Sequence, residues 1–144
     1  MWDVIRVSYL AEGLTDEDVD CIVAIAEEVL YGDGQEVVRR SDPNGDLYLV
    51  LEGLTVIESE RGQVIAKIGA GKVLGEIALI DDKPRSATVV SVGNTRMALI
   101  PEDKLKLLMA NRPEMAIQLL KNIGRTLAER LREANLQIEM LEEG

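Results

Sequence analysis

An α+β arrangement, with helices at both ends of an antiparallel β-sandwich or barrel, is predicted by three successive patterns in the chain. A capped amphipathic helix begins near Thr15. A string of short apolar segments separated by turn residues fills positions 41–100, and everything beyond Pro101 carries helical spacing. A chain of 144 residues has room for one core that buries about two-thirds of the unfolded surface. No linker, repeat or low-complexity stretch calls for a second unit, so a single domain over 1–144 is expected.

Taken in order, Thr15-Asp16-Glu17-Asp18 is a capping box, in which a side-chain oxygen and an acid three residues on satisfy the free amides of a new helix. Val19, Ile22, Val23 and Ala26 then fall at i, i+3, i+4 and i+7, on one apolar face. After Ala26 the period shortens. Val29 and Tyr31 alternate with other neighbours, Gly32-Asp33-Gly34 turns the chain, and 36–40 reads as a second short strand. Further strands are expected at 47–51, 55–59, 64–68, 87–92 and 96–99. They are separated by turn signals that include Asp42-Pro43-Asn44-Gly45, Glu52-Gly53, Glu60-Arg61-Gly62, Gly69-Ala70-Gly71 and Gly93-Asn94. Residues 73–80 are too poor in turn signals for a loop and too few for a full helix, and one or two helical turns from Gly75 fit them. Residues 102–110 make a short helix, Asn111 is a suitable N-cap, and Pro113 suits the first turn of a long final helix. Along that helix Leu127, Leu131, Ala134, Ile138 and Leu141 step by 4, 3, 4 and 3, an a/d seam that either pairs with a second chain or packs back on the β core.

Composition excludes several function classes. The chain has no histidine, which removes His-containing catalytic triads and three-His metal centres. Sixteen basic against twenty-six acidic residues give a net charge of −10, the wrong sign for unassisted attraction to nucleic acid or anionic membrane, though a local basic site stays open. The longest apolar run, 21–26, is six residues, far short of the roughly 20 that span a bilayer. Cys21 lies inside that run and reads as a small buried filler rather than a reactive thiol. With one cysteine and no signal-peptide pattern, a cytoplasmic protein is expected.

The chemistry concentrates in Gly75-Glu76-Ile77-Ala78-Leu79-Ile80 and, after Asp81-Asp82-Lys83, Pro84-Arg85-Ser86-Ala87-Thr88. A glycine opening a short helix leaves backbone amides free to meet an anion. Arg85, after a tight turn, is placed to grip a phosphate bidentately. Glu76 beside an anion asks for a donor of its own, and a sugar hydroxyl is one; phosphate plus ribose is a nucleotide. The plainer alternative is that Arg85 is a surface charge or an ion-pair partner of Glu76.

This segment resembles the phosphate-binding cassette of the cyclic nucleotide-binding domain family, whose pattern is Phe-Gly-Glu-x-Ala-Leu, a short gap, and Pro-Arg-x-Ala-Thr. Here it stands as Leu74-Gly75-Glu76-Ile77-Ala78-Leu79 and Pro84-Arg85-Ser86-Ala87-Thr88, with the gap of protein kinase A regulatory subunits and Leu in place of the usual Phe. Upstream, Gly45-Asp46-Leu47-Tyr48-Leu49-Val50-Leu51-Glu52-Gly53 is similar to the family's strand signature. The resemblance implies an antiparallel β-roll, a jelly-roll-like barrel, with an N-terminal helix, a short cassette helix and a long C-terminal helix over 111–144 that serves as lid and dimer seam.

It further implies a regulatory domain rather than an enzyme, with no metal or cofactor. Arg85 pairs with the cyclic phosphate and Glu76 accepts from the ribose 2′-hydroxyl. Gly75, Ile77, Ala78, Ser86 and Ala87 line the cradle, and Asn135 on the last helix meets the base. Ser86 occurs in both cyclic AMP and cyclic GMP binders; cyclic AMP is the expected ligand and cyclic GMP the alternative. Arg130 is expected as a solvated helix charge, with a bridge to Glu76 as its other reading. A homodimer through the last helix is expected, with no contact to membrane. Direct reading of DNA is not expected, since Crp/Fnr-type regulators carry a helix-turn-helix module after this helix and the chain ends at Gly144. The rival readings are a nucleotide-independent scaffold of the same fold and a fragment of such a regulator.

Overall fold

The structure, a computed structural model, describes residues 1–143; Gly144, the last residue of the expected domain, lies outside the described residues. The chain begins with helix α1 (Trp2–Val7), which has no side-chain cap and which the sequence patterns did not reveal, followed by a 3-10 turn at Tyr9–Ala11. Helix α2 (Asp16–Ile25) starts at the expected box. Asp18 N donates to Thr15 Oγ1 at 3.1 Å, and Thr15 N donates back to Asp18 Oδ2 at 3.3 Å. Cys21 is only half-buried, a correction to its reading as a small buried filler, because it lies beside rather than on the helix stripe that carries Val19 and Ile22.

Strands β1 (Glu27–Tyr31), β2 (Glu36–Val38), β3 (Leu47–Glu58), β4 (Val64–Gly69), β5 (Val73–Leu74) and β6 (Thr88–Ile100) form one antiparallel sheet. Two expected turns are corrected. Glu52-Gly53 and Gly93-Asn94 do not reverse the chain; they are bulged bends inside the continuous strands β3 and β6. Pairing runs from Val50↔Met97 to Glu52↔Arg96 to Leu54↔Val92, so the two strands contribute unequal numbers of residues across the bend. Gly53 has φ of 111°, and a Cβ there would stand 2.7 Å from the Asn94 carbonyl oxygen. Beyond the bend, partners change. β1 and β5 flank one half of the β3–β6 ladder, and β2 and β4 flank the other. The sheet thereby rolls over on itself without closing by hydrogen bonds.

The run Leu47-Tyr48-Leu49-Val50-Leu51 is apolar throughout because both faces of this half-sheet are covered. Leu47, Leu49 and Leu51 face the helices, in a core with Ile5, Leu10, Val19, Ile100, Leu105, Leu119 and Ile123. Tyr48 and Val50 face into the roll with Val37, Val38, Leu74, Val89 and Met97. Leu74, the departure from the family's Phe, is buried in this second cluster.

Helix α3 (Glu76–Asp81) interrupts the strands where Gly75 predicted helical turns, and α4 (Glu102–Asn111) and α5 (Pro113–Glu143) follow β6. Pro113 is the first residue of α5 as expected. Asn111 is not its N-cap: it completes α4, and Arg112 forms the joint between the two helices. Arg112 reaches back to Asp18 with Nε and Nη2 at 2.9 and 2.7 Å, tying α2 to the joint. Buried Asn122 donates to the carbonyls of Leu10 and Glu12, both at 2.8 Å, anchoring the 3-10 segment to α5. Of the seam, Leu127 alone touches the core, while Leu131, Ile138 and Leu141 are 63, 54 and 80% exposed. The same spacing continues back through Gly124 and Leu120 to exposed Ile117. Among the described residues no helix is long and apolar enough to cross a membrane.

Candidate functional site

Three pieces of chain converge at the open side of the roll: the start of β3, the β5–α3 joint, and the segment entering β6. Gly75 is the joint's pivot, with φ of 90°; a Cβ there would lie 2.5 Å from Arg85 Nη1 and 2.8 Å from the Asp46 carbonyl oxygen. The next residue, Glu76, opens α3, whose first-turn amides lack helical partners as at any helix start.

Arg85 is fixed from both its backbone and its side chain. Its N donates to the Asp42 carbonyl and its carbonyl accepts from Ser41 N, each at 2.9 Å. Its side chain is buried, with Nη1 donating to the Gly75 carbonyl at 3.2 Å, Nη2 donating to the Asp46 carbonyl, and the guanidinium carbon 5.9 Å from the centre of the Tyr48 ring. Asp46 does not neutralise it, because its carboxylate accepts from Glu102 N at 2.8 Å and so holds the start of α4. Among the described residues no carboxylate lies within 4.0 Å of Arg85, and its buried Nε has no hydrogen-bond partner. Arg85 is therefore neither the surface charge nor the Glu76 partner of the plainer sequence reading.

Glu76 is paired elsewhere. Its side chain is 4% exposed, and Oε1 accepts from Arg130 Nη1 on α5 at 2.6 Å. Arg130 is thus a bridge to the cassette rather than a free helix charge. The Tyr9 hydroxyl is buried nearby without a partner among the described residues. Burial first, then the Glu76 charge, hold its ionisation above the ordinary phenol range. Burial likewise pushes Tyr48 up to about 12, helped by Tyr31.

A cavity of about 630 Å³ opens beside these groups. Gly75, Glu76, Ile77, Ala78, Arg85, Ser86 and Ala87 all line it. Asn135 does not: it is exposed and lies five residues beyond Arg130, about 7.5 Å further along α5 and about 140° round it. Sequence reasoning missed the aliphatic wall of Val38, Ile57, Ile68 and Val89 opposite the cassette, although alternation within the strands carried that signal. It also missed Lys67, Lys72 and Lys83, which no motif marks. The cavity is lined by five cationic side chains, Arg130 and Arg85 among them, against the carboxylates of Glu76 and Asp81. This is a polar, positively charged end joined to an apolar slot, suited to a small organic anion with one flat or apolar part.

A sequence profile of the cyclic nucleotide-binding domain matches residues 28–112. The chain is 34% identical over 139 residues to the cyclic AMP receptor protein of Thermus thermophilus, covering 93% of this chain and 62% of that protein. It thus spans less than two-thirds of that relative's length. Among solved structures, the catabolite activator protein of Thermus thermophilus superposes with a TM-score of 0.78 at 31% identity, over 94% of this chain and 63% of the other. A cyclic nucleotide-binding domain from Methylobacillus flagellatus gives 0.83 at 28% identity, over 99 and 84%.

Proposed function

The chain belongs to the cyclic nucleotide-binding domain family, and on that premise we propose that residues 1–144 are one sensor domain that binds cyclic AMP without turning it over. One observation carries this reading: a buried guanidinium, held by two carbonyls, with no carboxylate partner among the described residues and an unused Nε, at the wall of a cavity large enough for a mononucleotide. A buried cation costs several kcal/mol unless it meets an opposite charge. An incoming cyclic phosphate supplies that charge to Arg85. The amides of Ala78 and Ala87 complete the cradle, Gly75 allows the close approach, and Ile77 and Ser86 flank it. Glu76 accepts from the ribose 2′-hydroxyl. The base enters the aliphatic slot, which excludes water without fixing its identity. That the Thermus thermophilus relative is a cyclic AMP receptor protein supports cyclic AMP; cyclic GMP is the alternative ligand.

The signal leaves through α5. A ligand shifts a conformational equilibrium only by its differential affinity for two states. Here the ribose hydroxyl and Arg130 address the same Glu76 carboxylate, so occupancy changes the tie between cassette and helix. The seam from Leu127 to Leu141, exposed beyond Leu127, makes this helix the contact surface for a homodimer. Spin labels at Arg61 and Gln137 should change their separation on saturation with nucleotide; an unchanged distance overturns the coupling. Light scattering at high micromolar concentration should return twice the 15.8 kDa chain mass, and a monomeric mass overturns the dimer.

Isothermal titration calorimetry of nucleotide-free protein with cyclic AMP and cyclic GMP tests the ligand. Saturable binding, tighter for cyclic AMP, is expected. No heat with either, from folded and empty protein, leaves a nucleotide-independent dimerisation module.

A further inference from the structure

Lys67 on β4, Lys72 before β5 and Lys83 after α3 come from three separate segments, yet all line the one cavity. All three residues are exposed, and none has a described carboxylate within 4.0 Å. Lys106, by contrast, is bridged to Asp82 and Glu102, and most of the arginines outside the cavity have acidic partners. Arg61, Lys104, Lys121 and Arg132 also lack such a partner among the described residues, but Lys67, Lys72 and Lys83 share one opening, with Asp81 beside them, in a chain of net charge −10.

We propose that Lys67, Lys72 and Lys83 form an electrostatic funnel that sets the rate at which the anionic ligand enters, while Arg85 sets how long it stays. The proposal rests on reading the cavity as a cyclic nucleotide site. A cyclic phosphodiester carries one negative charge, which the buried guanidinium already matches, so the rim cations exceed what the bound ligand needs. Their field acts before contact. The chain as a whole, at net charge −10, repels an anion, whereas the rim cations raise its local concentration, an effect worth ten to a thousandfold in association rate elsewhere. Screening shortens the reach of exposed charges to about 8 Å at physiological ionic strength, so the funnel fades as salt rises.

Stopped-flow binding of a fluorescent cyclic AMP analogue to the full chain, at 20 mM and 500 mM salt, separates the two roles. In the triple variant Lys67→Gln, Lys72→Gln, Lys83→Gln, the association rate should fall about tenfold at low salt and match the parent at high salt. The dissociation rate should change less than twofold. An unchanged association rate, or a loss confined to dissociation, overturns the funnel and makes the lysines contact residues or bystanders. If the parent itself binds no cyclic nucleotide, the site reading falls and the funnel with it; if the parent binds and the variant is identical, the funnel alone falls. Thermal melts confirm that both proteins are folded.

Discussion

At the joint between α4 and α5, Arg112 meets the Asp18 carboxylate at 2.7 and 2.9 Å; at the wall of the cavity, Arg85 meets two backbone carbonyls and no carboxylate among the described residues. The first arginine is about a third exposed and fully matched in charge, whereas the second is more deeply buried and left unmatched. Burial costs a charge its hydration, so folding alone favours the first arrangement. On the proposed reading the second persists because its counterion comes from outside, and charge matching then separates a group that holds the fold from one that awaits a ligand.

The widest separation is expected from Arg85→Ala. Removing the cationic partner of a desolvated phosphate should cost about 2–5 kcal/mol of binding, about thirtyfold or more in affinity. The thermal midpoint of ligand-free protein should stay near that of the parent. Parent-like affinity in calorimetry would make Arg85 a structural group like Arg112 and erase the contrast. Glu76→Ala comes next. A charge-assisted hydrogen bond to the ribose is worth about 1.5–3 kcal/mol, so this variant should lose most of the preference for cyclic AMP over its 2′-deoxy analogue. A preserved preference would remove Glu76 from the ribose.

Arg112→Ala should do the reverse of Arg85→Ala, lowering the thermal midpoint and leaving affinity intact. Its pH dependence sharpens the point. Burial by itself would raise the Asp18 carboxyl, but hydrogen bonds from Arg112 and Thr15 outweigh it and hold Asp18 below the ordinary carboxylate range. Asp18 therefore contributes stability that is present above about pH 4 and is lost as pH falls through the depressed value. Without Arg112 the depression of Asp18 is relieved, so in urea melts the variant, although less stable at neutral pH, should lose less stability than the parent as pH falls below about 4; parallel profiles would mean that the pair is idle. The smallest effect is Thr15→Ala, about 1 kcal/mol of stability from loss of the cap, with no change in binding.

Much of this was legible because local chemistry decides it. Thr15 and Asp18 cap each other within four residues, Pro113 suits a first helical turn, and Gly75 is needed where the backbone takes a positive φ against Arg85. The misreadings arise where one signal serves two geometries. Gly53 and Gly93 both have positive φ, which marks a bulged bend as readily as a turn, and only pairing with a distant strand tells them apart. Arg130 and Asn135 show the same limit on a helix. Five residues apart, they look equally placed in sequence, but the helical pitch brings one to Glu76 and carries the other away. The charge match at Arg112 joins residues 94 positions apart, beyond any local pattern.

The bend shared by β3 and β6 also decides which parts can move. Each strand runs through both halves of the roll; sliding β3 by one residue would turn Leu47, Leu49 and Leu51 out of the helix-side core, and sliding β6 would do the same to Ala98 and Ile100. The sheet is in mechanical terms a stator: it has no shear direction in which to absorb a push from the cassette. Under the proposed coupling, a displacement at α3 would pass to the helices, where α5 is held by Asn122 near its root and is increasingly exposed toward its tip. A small rotation at that root would become a long sweep at Leu141.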